Sequence, residues 1–392
     1  MTSTAVPAVG RAVPFFRQSA SFAELWPEVL GHLDELFAAG KFSHGPKVAE
    51  LESALAAWTG ARHVVGVNSG TDALVLLLRG GGLEPGDEVI VPAFTFVASA
   101  TSVALARGRP VFADIDPVTY AIDPLCVAAA ITPRTRMVMP VHLFCQMADM
   151  ARIVELAREH GLIVVEDSAE AIGMRWDGRH AGLLGAGGVL SFFPTKTLGA
   201  LGDAGAILTD DDDLAARASA LRHHGRFGAT LNDFTAISNA TELSGINSKM
   251  DDVQAAVLLA KLGHLDDDIA RRAHLAAAYT DRLADAPGIL RLPTVVAREA
   301  QTNPVFYVYL VEVERRDGLA SYLADRGVET ETYYPTPLHL QPCFADLGYA
   351  RGDFPNAERA CEHALALPLY PDLELDEVDY VCELVRRFYE VG

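Results

Sequence analysis

Apolar and polar positions alternate along this chain in two successive styles. Residues 21–39 come first, with Phe22, Leu25, Trp26, Val29, Leu30, Leu33, Leu36 and Phe37 at helical spacing before Gly40. Residues 48–58 repeat that pattern and stop at Gly60, so two helices precede any strand. From residue 63 short apolar strands (63–67, 88–91, 110–113, 136–141, 162–166) alternate with helical stretches (71–79, 97–106, 124–131, 150–160). Near-continuous Val/Ile/Leu strands joined by helices indicate a mostly parallel sheet with helices on both faces, the core of a large α/β domain.

After about residue 240 the style changes. Long helices at 253–262 and 269–283 lead through 287–303 to an alternating strand at 305–311, then to helices at 318–325, 355–365 and 376–389. The expectation is a large α/β domain over 1–250, followed by connecting helices and a smaller α+β C-terminal domain over 251–392. A chain of 392 residues exceeds the ~250–300 that one core supports, which agrees with two domains.

Composition narrows the function. Asp and Glu number 52 against 32 Lys and Arg, a net charge of −20 that works against binding nucleic acid or an anionic membrane. Five cysteines (126, 145, 343, 361, 382) without CxxC spacing point to a reducing compartment and no structural metal. Residues 1–20 lack a continuous apolar core and no apolar run approaches 18 residues, so a cytoplasmic protein without a signal peptide is expected.

The chemistry centres on residues 191–208. An apolar run, 188–193, reads as a strand buried on both sides; it meets Pro194, then Lys196 between Thr195 and Thr197, then a glycine-rich turn and a second apolar run. Lysine occurs only at 41, 47, 196, 249 and 261, and only Lys196 has apolar sequence on both sides. Lys41, Lys47 and Lys261 read as solvated. A nucleophilic lysine needs its pKa lowered from about 10.4 toward 7–8 by desolvation or a neighbouring cation. A lysine that merely snorkels at a strand mouth is the plain alternative.

In open α/β sheets ligands bind at the carboxyl ends of strands, and two further loops of that kind carry candidates. Asn68-Ser69-Gly70-Thr71 joins a strand to a helix and offers an anion backbone N–H groups, two hydroxyls and close approach at Gly70. An ordinary helix N-cap is the competing reading. Glu166-Asp167-Ser168-Ala169-Glu170 ends the most apolar strand, where a carboxylate is costly unless it meets a cation such as a protonated ring nitrogen; a cap by Asp167 or Ser168 is the alternative. A desolvated lysine, an anion cradle and a buried acid together describe pyridoxal phosphate.

The motifs in order are Asn68–Leu74, Pro92-Ala93-Phe94-Thr95-Phe96, Pro140-Val141-His142-Leu143, Glu166–Glu170, Ser191–Lys196, Gly202-Asp203, Gly245–Asp251, Gln254-Ala255-Ala256 and Tyr334–His339. Through them the chain, from about residue 15 to 369, resembles the DegT/DnrJ/EryC1/StrS family of fold-type I, pyridoxal phosphate-dependent nucleotide-sugar aminotransferases. The resemblance implies that Lys196 forms the Schiff base and shuttles the proton, Asp167 pairs with the pyridine nitrogen and Phe96 stacks on the ring. It implies that Ser69, Gly70, Thr71 and Ser191 hold the phosphate, and that Asn247 reaches it from the neighbouring subunit of a homodimer with shared active sites. Lys249 and His339 are implied on the sugar-nucleotide side. Glu170 departs from the glutamine common beside the ring hydroxyl, although relatives that aminate C4 also carry glutamate there; Thr197 departs from asparagine.

The implied reaction is ping-pong transfer of the amino group of L-glutamate to a nucleotide-linked deoxy sugar. The expected acceptor is dTDP-4-keto-6-deoxy-D-glucose, giving dTDP-4-amino-4,6-dideoxy-D-glucose. Alternatives are a 3-keto-sugar or cyclitol acceptor, or a non-catalytic regulator or sensor that retains the fold.

Overall fold

The computed structural model describes residues 12–43, 45–227 and 241–391. The reading of residues 1–20 as lacking a signal peptide therefore falls largely outside the described residues. Among the described residues no helix is long and apolar enough to cross a membrane.

Two helices lead in, α1 (Ser19–Ala39) and α2 (Pro46–Thr59). Both end where expected, because Gly40 and Gly60 take the left-handed conformation (φ 66° and 84°) that closes a helix cheaply only at glycine. The main sheet is built from β1 (His63–Val67), β2 (Glu88–Pro92), β3 (Arg109–Ala113), β4 (Thr135–Val138) and β5 (Ile163–Asp167), alternating with α3 (Gly70–Gly80), α4 (Ala98–Leu105), α5 (Pro124–Ala130) and α6 (Met150–His160). A hairpin of β6 (Arg175–Trp176) and β7 (Arg179–His180) precedes the last two strands, β8 (Gly187–Ser191) and β9 (Gly205–Thr209), and α7 (Asp212–Leu221) follows.

The seven strands lie in the order β1-β9-β8-β5-β4-β2-β3. Every pairing is parallel except those of β9, which runs against both β1 and β8. The expected mostly parallel, helix-covered sheet of a fold-type I transferase is present. Its central strands are buried along nearly their whole length, which is why they read as unbroken apolar runs.

The remainder comprises α8 (Asp252–Leu262), α9 (Leu265–Leu283), β10 (Ile289–Arg291), β11 (Tyr309–Val313), α10 (Arg316–Ala324), α11 (Pro355–His363), β12 (Ala364–Leu367) and α12 (Leu375–Val391). Strands β10-β11-β12 form an antiparallel sheet of their own. Two expectations are corrected here. Residues 305–307 do not join this sheet, because the amides of Val305 and Tyr307 bond instead to Cys145 O and Phe144 O; the strand begins at Tyr309. The helix expected over 355–365 ends at His363, and 364–367 pairs with β11 as a strand. Packing crosses the boundary expected at residue 250: Ala255 and Leu258 share a core with Phe192 and Leu208, while Tyr307, Leu310 and Ala366 pack with Leu74 and Val165 of the main sheet.

Candidate active site

Loops at the carboxyl ends of the parallel strands enclose a cavity of about 570 Å³. Ser69, Gly70 and Thr71 enter it from the β1–α3 turn, Thr95 and Phe96 from the loop after β2, Asp167 and Glu170 from the end of β5. Ser191 and Lys196 arrive from the far end of β8, and Tyr307, Tyr333 and Tyr334 close the wall opposite.

The lysine is presented by an excursion whose base is clamped. Ser191 and Gly205 are register partners of β8 and β9, so the chain leaves and re-enters the sheet at one point. Within it Lys196 N–H donates to Phe193 O and Ala200 N–H to Phe192 O, both at 2.8 Å, and Phe192 and Leu198 are buried beneath. Ser191 is partly exposed and Phe193 half exposed, so the run 188–193 is buried on both sides only as far as Leu190. A Cβ on Gly205 would lie 2.6 Å from the Ser69 carbonyl carbon, and one on Gly70 would lie 2.8 Å from Ser191 Cβ. The helix turn and the lysine excursion therefore approach as closely as glycine permits.

Ser69 does cap α3, accepting from the Asp72 amide at 3.1 Å, so the ordinary capping reading holds. It also lines the cavity, and the first amides of α3 have no intrahelical partner, so the cap leaves N–H groups that suit an anion. No helix starts after β5, and Asp167 is not a helix cap. It is buried, with Oδ2 accepting from Ser99 Oγ at 2.7 Å and Oδ1 from the Ala169 amide at 3.2 Å. Burial pushes its pKa up despite the Ser99 hydroxyl and the more distant charge of Lys196.

Lys196 departs from the sequence expectation. Its Nζ donates to Glu170 Oε1 at 3.2 Å and lies 4.2 Å from the centre of the Tyr307 ring. Burial works against its charge, but Glu170, Tyr307 and Asp167 outweigh burial, and the amine is pushed up to about 12 rather than down. The sequence showed the apolar flanks of the lysine but not the carboxylates that fold against it. The other side of Glu170 is fixed, with Oε2 accepting from the Phe144 amide at 3.3 Å.

Three expected residues lie outside this cavity. Asn247 is exposed and bonds to Lys249 Nζ, and neither lines the cavity of its own chain. His339 is buried, with Nε2 3.0 Å from Glu358 Oε1 and its ring against Phe354 at 4.7 Å, so it ties a loop to α11. Two lysines read as solvated are not: Lys47 is buried among His32, Glu35 and Glu50, and Lys261 bonds Gly199 O at 2.7 Å, its pKa lowered by burial to about 8. Sequence reasoning also missed Ser99, Tyr307 and Tyr333. The signal available for Tyr307 was its place in the alternating 305–311 run; Ser99 gave none.

The residues present fit pyridoxal phosphate. An acid whose pKa is raised by burial suits a protonated pyridine nitrogen, a helix N terminus with three hydroxyls suits the phosphate, and a lysine lines the same cavity. This arrangement on a doubly covered sheet defines a fold-type I pyridoxal phosphate-dependent transferase.

The chain belongs to the DegT/DnrJ/EryC1/StrS aminotransferase family, which it matches over residues 25–386. It is 43% identical over 378 residues to a pleiotropic regulatory protein of Geobacillus stearothermophilus (96% of this chain, 98% of that one). It is 42% identical, over 96% of each chain, to the dTDP-3-amino-3,4,6-trideoxy-alpha-D-glucose transaminase of Streptomyces venezuelae. Among solved structures, DesV of S. venezuelae superposes with a TM-score of 0.90 at 42% identity, covering 97% of this chain and 99% of that one. The Bacillus subtilis protein NtdA, solved with its cofactor PMP bound, gives 0.84 at 32% identity (97% and 85%). The protein is thus a sugar aminotransferase, and its cofactor is pyridoxal phosphate.

Proposed function

We propose that this enzyme takes the amino group of L-glutamate and delivers it, in a second half-reaction, to the keto carbon of a nucleotide-linked deoxy sugar. The observation that carries the reading is the convergence of Lys196 Nζ, the buried Asp167 carboxylate and the N terminus of α3 on one cavity. When bound, the pyridoxal ring supplies an electron sink for charge left at the donor's Cα. The chain supplies the rest. Lys196 Nζ is the base that takes the Cα proton and the acid that returns it, with Tyr307 limiting its swing. Asp167 holds the proton of the ring nitrogen in place, while Ser99 orients the acid from behind. Ser69, Gly70, Thr71 and Ser191 grip the phosphate, Phe96 covers the ring, and the tyrosine wall excludes water from the proton's path.

The functional unit in this reading is a homodimer. Asn247 and Lys249 sit outside the cavity of their own chain, and apolar Leu201 beside it is exposed, which favours Asn247 and Lys249 serving the site of a second copy. Co-expression of Lys196→Ala with Asn247→Ala subunits tests this: hybrid dimers regain one intact site, so activity reappears in the mixture if sites are shared and stays absent if they are not.

For the acceptor, a 3-keto sugar carried on dTDP is the first reading, supported by the name of the S. venezuelae relative. The 4-keto-6-deoxy acceptor is the second, favoured by Glu170 in place of glutamine. Incubating the enzyme with L-glutamate and each dTDP-keto sugar, and locating the new nitrogen by NMR, decides between them. Bleaching of the bound cofactor by glutamate with neither sugar aminated would overturn both.

A further inference from the structure

The ion pair inside the cavity has a use beyond holding the lysine still. Lys196 Nζ and Glu170 Oε1 are 3.2 Å apart, with 16% and 6% of their side chains exposed. Glu170 is anchored through its other oxygen by the Phe144 amide at 3.3 Å, so Oε1 is left to Lys196. Every group facing the amine points the same way. Asp167 lies on the β5 side, Glu170 on the loop after it, and the Tyr307 ring on the opposite wall; Tyr333 and Tyr334 crowd Glu170 from beyond. Such an environment stabilises an ammonium, yet carbonyl chemistry requires the neutral amine. With Lys196 only 16% exposed, a proton that leaves it is best received by a group within hydrogen-bond reach.

We propose that Glu170 is the proton partner of Lys196: Oε1 takes one proton from the Nζ ammonium when the amine must react, and returns it when the amine is released. The step balances as an ammonium and a carboxylate becoming an amine and a carboxylic acid, with no other reactant. Proximity makes it accessible, since the proton crosses one hydrogen bond of 3.2 Å without entering solvent. An amide in place of Glu170 could not accept the proton. The inference rests on Lys196 being the reactive amine.

The test uses the full-length apoenzyme and Glu170→Gln, with Glu170→Asp as the variant that keeps the carboxylate. With lysine at only five positions, the 13Cε signals of labelled protein can be assigned and titrated, and the same spectra report folding. Removing the carboxylate should lower the Lys196 midpoint by at least about one pH unit, making about tenfold more free amine at a given pH below it. Capture of added pyridoxal phosphate, followed by its absorbance at pH 7.5, should nonetheless be at least about tenfold slower in Glu170→Gln and partly restored in Glu170→Asp. An unchanged midpoint, or capture as fast as or faster than wild type, overturns the proposal. Failure of the wild-type chain to capture the aldehyde at residue 196 would instead overturn the function assigned to the lysine.

Discussion

Glu166 and Asp167 are neighbours at the end of β5, equally buried, and pointed by the strand's period of two to opposite faces of the sheet. On one face Glu166 accepts four hydrogen bonds: from the Leu184 and Gly185 amides at 2.7 Å, the Gly182 amide at 2.8 Å and His142 Nε2 at 3.0 Å. His142 is locked in turn, its Nδ1 accepting from the Ala148 amide at 3.1 Å, which leaves the hydrogen on Nε2 to be donated. On the other face Asp167 has one hydroxyl and one amide, faces the cavity, and has its pKa raised by burial. Depth alone does not mark a functional acid. What separates them is acceptor capacity left unused toward open space.

That contrast can be broken from either side. The largest effect belongs to the cavity face: Lys196→Ala should lower kcat/KM by about 10⁴-fold while far-UV circular dichroism stays native. Near-normal turnover would remove the lysine from the chemistry. Next is the opposite face, where Glu166→Gln turns an amide NH2 toward donors and should destabilise the fold by about 3–5 kcal/mol in urea titration. The folded fraction should still bind cofactor. A variant that melts normally but cannot bind it would reverse the assignment of the two faces.

Asp167→Asn should reduce turnover by about 10²-fold and split by pH. Because Asp167 is raised in the folded state, the folded apoprotein holds more protons than the unfolded chain. Its stability therefore declines as pH rises from the ordinary carboxylate value near 3.9 through the raised one. The asparagine variant lacks that decline, so at neutral pH its apo form should melt higher than wild type, although it binds cofactor more weakly. The mildest change is Ser99→Ala. Loss of one hydrogen bond, about 1 kcal/mol, lifts Asp167 further, so cofactor affinity should fall up to about tenfold and be lost at a higher pH than in wild type on acidification. Cofactor fluorescence titrated across pH measures it.

The parallel sheet was legible because strands buried on both faces leave unbroken apolar runs, and Lys196, Asp167 and the Ser69–Thr71 turn sit where such strands end. What the sequence hid depends on partners far along the chain. Tyr307 reads as part of a strand but is held by Phe144 O instead, which puts its ring against the lysine. Ser99 in an alanine-rich helix gives no hint that Asp167 lies 68 residues away in sequence and 2.7 Å away in space. Lys47 and Lys261 sit in polar or amphipathic surroundings, and only the fold shows that helices bury them. The strand 364–367 follows a helix without a break, and it is pairing with β11 that decides its conformation.

Gly205 deserves a place in any mutational map of this enzyme, although no substrate reaches it. The absence of a side chain there lets the backbone at the root of the Lys196 excursion rest against the Ser69–Gly70 turn, so it acts as a spacer of fixed gauge between the two. A saturation library scored for aminotransferase activity would show that position as intolerant even to alanine.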